Sequence, residues 1–259
     1  MNVFARDMTP RVDLTLPHGA GSVRSQRPAY VDLLPPCNSA CPAGEDIQAW
    51  LGLAQAGKFR AAWEALIADN PMPGVHGRVC YHPCETSCNR KELDSEVGIH
   101  AVERFLGDQA SVQGWTIPKA AASSGKRILV VGAGPSGLSA AYHLTRLGHQ
   151  VEIHEAGPLP GGMLHFGIPA YRLPREDLMR EIARIEAFGV TIMLNHKVDD
   201  LLAEQAAGGF DALFVAIGAQ KAHHVEIPAR DAPFVRRWRR RSRRTLLRPA
   251  RQEDRRPCD

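Results

Sequence analysis

Two groups of residues in this 259-residue chain are of types and spacings that do chemistry. The first is a set of thiols. Five of the 6 cysteines fall within residues 37 to 88, in the strings PPCNSACPAG and GRVCYHPCETSC. Three residues separate Cys37 from Cys41, Cys80 from Cys84, and Cys84 from Cys88. Thiolates repeated on short Pro- and Gly-bearing loops can converge on one soft metal centre, and an iron–sulfur cluster held by four thiolates is the natural outcome. Zinc is the competing metal, but structural zinc sites commonly place two residues between paired cysteines. Five unconnected buried thiols are the bland alternative. His76 and His82 lie close by. A histidine near cysteines is more often a packing or hydrogen-bonding residue than a ligand, and both stay outside the ligand set.

The second group is a phosphate cradle. Four apolar residues, Ile128 to Val131, run into Gly132-Ala133-Gly134-Pro135-Ser136-Gly137. A helical pattern then starts at Leu138 and keeps Ala141, Leu144 and Leu147 on or near one face. Gly132 permits the turn, Gly134 lets backbone approach a pyrophosphate, and Gly137 lets the helix pack near the strand. The amides of the first helical turn and the positive end of the helix dipole favour phosphate there. A second strand, Gln150 to His154, leads to Glu155, an acid placed to accept hydrogen bonds from a ribose. Without this context the glycines would read as an ordinary βα turn; with it they predict a dinucleotide site.

A Gly- and Pro-rich crossover, AGPLPGGMLHFGIPAYRLP, follows Glu155. Gly161 and Gly162 offer bare backbone that can lie against a phosphate or a flavin ring. Arg172 offers a forked cation to phosphate oxygens. The alternative is a surface loop with a solvated Arg. A helix over 176–188, a strand over 190–194 and a strand over 212–217 complete the pattern. The last strand ends at Gly218, which allows close approach to a cofactor; an ordinary buried strand fits the same fold.

The elements that must position these groups divide the chain. Residues 1–35 read as an extended lead-in. Residues 36–110 form a helical iron–sulfur domain, with helices over 46–56, 59–68 and 98–110. The last of these carries Ile99, Val102, Phe105 and Leu106 on one side. Residues 111–125 are a linker, and 126–228 a nucleotide-binding domain. Residues 229–259 are an Arg-rich tail.

The net charge of +4 comes from that tail, which holds 12 of the 32 basic and 4 of the 28 acidic residues. The rest of the chain is therefore net −4. No apolar run approaches a membrane span, and no signal-peptide layout opens the chain. A cytoplasmic protein with reduced thiols is expected. The tail admits three readings: a nucleic-acid or acidic-partner segment, a solvated tail, or an out-of-frame translation rich in Arg, Pro and Ala. Its abrupt loss of periodicity favours the third, so nucleic acid is not the expected partner. Cys258 then counts as incidental.

The two cysteine strings, followed in order by GAGPSG, GPLPGGMLHFGIPAYRLP and FDALFVAIGA, resemble the small (β) subunit of NADPH-dependent glutamate synthase. They also resemble the N-terminal half of dihydropyrimidine dehydrogenase. The resemblance spans about residues 30 to 230. It implies a helical iron–sulfur domain and an FAD domain, with electrons passing from NADPH to FAD, through [4Fe–4S] clusters, to a redox partner or large subunit.

Carried over by position, the resemblance makes Cys41, Cys80, Cys84 and Glu103 the ligands of one [4Fe–4S] cluster. Cys37 and Cys88 would belong to a second, whose two further cysteines this chain lacks, so one cluster is expected. Without the resemblance, Glu103 reads as an exposed helix carboxylate. The resemblance also assigns Gly162, Met163 and Arg172 to FAD and puts Val198 where backbone meets the adenine. The resembling proteins continue into an NADPH domain, for which no second G-x-G-x-x-G is present here.

The expectation is thus an α/β chain: an N-terminal helical iron–sulfur domain followed by an incomplete Rossmann-like FAD-binding domain. Its role would be an electron-transfer unit of an oxidoreductase. No catalytic side chain is named, because a flavin carries its own redox chemistry. The competing class is a truncated or non-enzymatic binding module with a basic tail.

Overall fold

The computed structural model describes residues 35–118 and 121–219. The lead-in up to residue 34, the two residues 119 and 120 of the linker, and everything from residue 220 onward, including the Arg-rich tail and Cys258, lie outside them.

The thiol-bearing half contains α1 (Pro36–Ala40), α2 (Ile47–Gln55), α3 (Phe59–Leu66), α4 (Pro73–Val79), α5 (Pro83–Thr86), a 3₁₀ turn (Asn89–Glu92) and α6 (Ile99–Val112). Asp46 caps α2 by accepting from the Ala49 N–H at 3.2 Å, satisfying a donor that the first helical turn leaves unpaired. Trp50, Trp63, Leu66, Ile99 and Leu106 build its core.

The sequence reading names no helix between 68 and 98, where Pro73, Gly74 and Gly77 interrupt any helical period. The structure makes α4 there, with Pro73 in the first turn, where a missing N–H costs nothing. Its glycines serve packing. A Cβ on Gly77 would lie 2.5 Å from the Arg104 backbone, and one on Gly107 2.4 Å from the Gly74 backbone. The two helices touch main chain to main chain. On α6 the buried stripe is Ile99, Glu103, Leu106, Gly107 and Ala110. Phe105, expected in it, is 42% exposed and meets Phe59 edge-on at 5.1 Å.

The second half is a parallel four-stranded sheet in the order β3-β2-β1-β4: β1 (Arg127–Val131), β2 (Gln150–His154), β3 (Val190–Met193) and β4 (Ala212–Val215). Val130 pairs with Ile153 on one side and Phe214 on the other. The crossovers are α7 (Pro135–Arg146), α8 (Met163–Phe166) with α9 (Arg175–Ala187), and α10 (Leu201–Gly208). Side chains alternate along a strand, so Ile128 and Val130 join the core with Leu138, Ile182 and Ile185. Leu129 and Val131 face the opposite way, into a smaller cluster with Phe210.

Helix α7 starts at Pro135, three residues before the apolar period that announces it, because Pro135 and Ser136 are exposed and carry no core signal. Helix α10 has no buried residue and hence no period to read, although Asp200 caps it and Gly209 ends it at φ 62°.

The two described halves pack as one unit. Met72 and Val75 of the helical part lie in the same core as β1 and α9. Tyr142 Oη donates to the Ile67 carbonyl at 2.6 Å, and Arg146 donates to the Ala68 carbonyl. No helix among the described residues is long and apolar enough to cross a membrane.

Candidate functional site

The five thiols sit at helix ends. Cys37 lies in α1 and Cys41 closes it; Cys80 closes α4, Cys84 lies in α5, and Cys88 precedes the 3₁₀ turn. Each end is turned by an extended residue or by His82, which takes the left-handed region at φ 54°. None is in a disulfide. Cys37 and Cys41 pack against the buried cluster that contains Cys84.

Backbone donors face the sulfurs. The His82 N–H reaches Cys80 Sγ at 3.3 Å. Amides of Ala43, Gly44 and Glu45 serve Cys41, that of Asn38 serves Cys37, and that of Glu85 serves Cys84. Burial nevertheless raises the Cys37 and Cys41 thiols and pushes Cys84 up to about 12. Ionising Cys84 therefore needs a positive charge beside it, which a metal centre supplies. Free thiols on helix ends with backbone N–H groups beside them are the ligand type that a thiolate-held cluster uses.

Glu103 is 6% exposed, not a surface carboxylate. It lies one turn beyond Ile99, which shares the Cys84 core. Asn70, 1% exposed, gives one amide hydrogen to Glu103 Oε1 at 2.7 Å and the other to Glu45 Oε1 at 2.9 Å. Its own oxygen takes the Met72 N–H at 3.1 Å and sits 2.7 Å from His76 Nδ1. Burial, then the Glu45 charge, pushes Glu103 up to about 9. His82 stacks on His100 at 4.1 Å, and His100 meets Glu85 through both its N–H and Nδ1.

The glycine turn is sterically obligatory. Gly132 has φ 106°, and a Cβ there would lie 2.4 Å from the Ala216 carbonyl oxygen. At Gly137 a Cβ would stand 1.9 Å from the Gly132 oxygen. Over Gly134 nothing but Gly162 comes close: a Cβ on Gly134 would meet no atom within 4 Å, while one on Gly162 would meet Gly134 Cα at 2.9 Å. The Gly161 N–H donates to the Ala133 carbonyl at 2.8 Å. Glu155 accepts from the Ala133 N–H and from the Gly157 N–H, both at 2.8 Å, which ties the turn to the end of β2.

The order β3-β2-β1-β4 puts the sheet's switch point between β1 and β4, where Gly132 and Ala216 touch. Dinucleotides bind in that crevice in such sheets. Gly218 follows β4 with φ 68°, and Val198 packs half-buried against Leu129, Val131 and Phe210. Met163 is exposed at the start of α8.

Arg172 opens elsewhere. With Tyr171, Gly77, Arg78, Arg104, His82 and His100 it lines a cavity of about 410 Å³ between the two halves. Arg78 is the buried member, bridging Asp108 of α6 at 2.8 Å and Asp177 of α9 at 2.9 Å. Asn70, Glu45, Glu85, His100 and Arg78 escape a reading of the sequence. Their partners lie 15 to 33 residues away in the hydrogen-bond network, beyond any periodic signal. Arg78 reaches still farther, to Asp177.

Residues 25–115 match the family model for dihydropyrimidine dehydrogenase domain II, 4Fe-4S cluster, and residues 130–169 match an NAD(P)-binding Rossmann-like domain. The chain is 37% identical over 222 residues to the NADP(+)-dependent formate dehydrogenase subunit beta of Moorella thermoacetica, covering 77% of this chain and 31% of that one. It is 36% identical over 203 residues to the NADPH-Fe(3+) oxidoreductase subunit beta of Geobacter sulfurreducens, covering 77% and 30%. To the glutamate synthase [NADPH] small chain of Mycobacterium tuberculosis it is 35% identical over 217 residues, covering 83% and 44%. The chain thus spans less than half the length of these relatives. It joins a helical 4Fe-4S domain to an NAD(P)-binding Rossmann-like domain, and it is a homologue of the glutamate synthase small chains and the related oxidoreductase β subunits.

Proposed function

We propose that this chain is an electron-transfer unit that holds FAD at the sheet's switch point and at least one [4Fe–4S] cluster on its thiols, and that delivers electrons to a redox partner protein or large subunit. When bound, the two groups supply the redox chemistry, and the protein holds and tunes them. In this reading Cys41, Cys80, Cys84 and Glu103 hold the cluster. Cys37 and Cys88 stand together as the incomplete second set. The turn from Gly132 to Gly137 receives the pyrophosphate, with Ala133, Pro135 and Ser136 shaping its open side. Glu155 keeps lone pairs for a ribose hydroxyl beside the two amides it already binds. Gly162, Met163, Val198 and Gly218 make the remaining cofactor contacts, while Arg172 lines the separate cavity between the halves. Electrons originate from NADPH, whose site belongs to a larger assembly of the relatives' kind.

The observation that supports this most is the direct packing of one half on the other. Helix α4, which ends at Cys80, is tied to α9 of the sheet domain by Arg78–Asp177 and by the Gly74 N–H to Glu181 Oε1 at 3.3 Å. A thiol-bound centre and a dinucleotide thereby share a rigid frame. The test is anaerobic reconstitution with iron, sulfide and FAD. Stoichiometric iron and flavin, broad iron–sulfur absorption and a two-banded flavin spectrum are expected. A colourless protein that retains neither group overturns the proposal.

A further inference from the structure

Away from the thiols, three donors from separate elements converge on the far face of the sheet: His154 at the end of β2, His196 in the loop after β3, and Glu204 in the first turn of α10. One donor atom from each lies within 4.8 Å of the others. Glu204 Oε1 is 3.0 Å from His154 Nδ1 and 2.7 Å from His196 Nε2.

The proton positions decide what this means. Glu152 Oε1 lies 2.7 Å from His154 Nε2, and an ionised carboxylate can only accept. In the neutral ring Nε2 therefore carries the hydrogen and Nδ1 a lone pair. His154 is 5% exposed, and its Nδ1 is buried with no hydrogen-bond partner, since the nearby Glu204 oxygen is out of line for one. A nitrogen lone pair and a carboxylate oxygen 3.0 Å apart repel unless a cation joins them. Glu152 behind His154 completes the carboxylate–histidine pair that orients metal-bound imidazoles.

We infer that His154, His196 and Glu204 form a binding site for a divalent transition-metal ion of the zinc type, with Glu152 as the positioning residue. Two histidines and one carboxylate leave a fourth position for water. Solvent reaches that position, because the His196 and Glu204 side chains are 40% and 26% exposed. Tetrahedral bonds of about 2.0 Å hold ligand atoms roughly 3.3 Å apart, so Glu204 Oε1, at 3.0 Å from His154 Nδ1 and 2.7 Å from His196 Nε2, lies slightly inside that spacing from both. The ion would staple β2 to α10. The His196 N–H donates to the Glu155 carbonyl at 2.9 Å, so the staple adjoins the acid that pins the glycine turn. None of this depends on flavin or on a cluster.

The test is a Co²⁺ titration of the chain followed by absorption and by thermal melting. One equivalent should give weak ligand-field bands without the intense sulfur-to-metal charge transfer that cysteine ligation produces, and should raise Tm. His196→Ala and Glu204→Gln, both at partly exposed positions, should abolish those bands. Glu152→Gln should weaken binding by roughly tenfold. Cobalt bands that are only of the sulfur type, or nitrogen–oxygen bands that persist in His196→Ala, overturn the inference; so does the absence of binding.

Discussion

In the dinucleotide half, the residues that make the site are neighbours in the chain: Gly132 to Gly137 form one turn between β1 and α7, and Glu155 follows at the end of β2. In the thiol half, Cys37 and Cys41 stand about forty residues from Cys80, Cys84 and Cys88 and meet them only because α1 packs on α5. One site is written into a local strand–turn–helix geometry. The other is assembled from short helix ends held by buried polar contacts and glycine-to-glycine packing. The difference teaches where each is fragile. The turn fails when a single Cβ is added, whereas the thiol cage fails when a ligand or a distant brace is removed.

The sharpest break of this comparison is Cys84→Ser. Iron content should fall to background while flavin affinity stays within about twofold, because the glycine turn shares no ligand with it. Equal loss of both would show that the halves are not independent. The reciprocal change, Gly137→Ala, drives a Cβ to 1.9 Å of the Gly132 oxygen and should cost at least about 3 kcal/mol. Denaturant melts should show the loss, and flavin retention should vanish.

A third experiment separates the halves by pH. Burial, opposed by the Arg184 charge, raises the Glu181 carboxyl to about 7 from an ordinary 4.5. The folded state thus binds the extra proton. Stability from this group is fully present below about 4.5 and is lost as pH rises to about 7, by up to about 3 kcal/mol. Thermal melts of Glu181→Gln should lose that slope; an unchanged slope would assign it to another group. Smaller still, Tyr142→Phe removes the bond to the Ile67 carbonyl and should cost about 1–2 kcal/mol in denaturant melts, without loss of iron. The mildest change has the opposite sign. Gly52→Ala in α2 meets no atom within 4 Å and should stabilise by about 0.5–1 kcal/mol, measurable as a raised Tm.

Particular residues show how far a reading of the sequence reached. Leu138, Ala141 and Ile182 announce their helices because a buried stripe repeats at the helical period. The same rule misleads at Phe105, which has the right spacing but lies at the edge of the stripe, where it meets Phe59 instead of the core. It is silent at Glu103, because a carboxylate in an apolar stripe looks like an error until Asn70 is found beside it. Helix α4 stays hidden because its glycines, which disfavour helix locally, are what admit α6 at main-chain contact.

The sequence by itself determined the parallel βαβ pattern, the phosphate turn and the presence of a thiol set, since each follows from spacing along a few dozen residues. Only the tertiary structure decided that Glu103 is buried, that Arg172 faces a cavity with His82 and His100, that Arg78 clamps the two halves, and that His154 meets His196 and Glu204. The physical reason is range. Backbone sterics and hydrophobic periodicity act between neighbours in the chain, while a buried charge takes whichever partner packing brings within about 3 Å, however far away it lies in sequence.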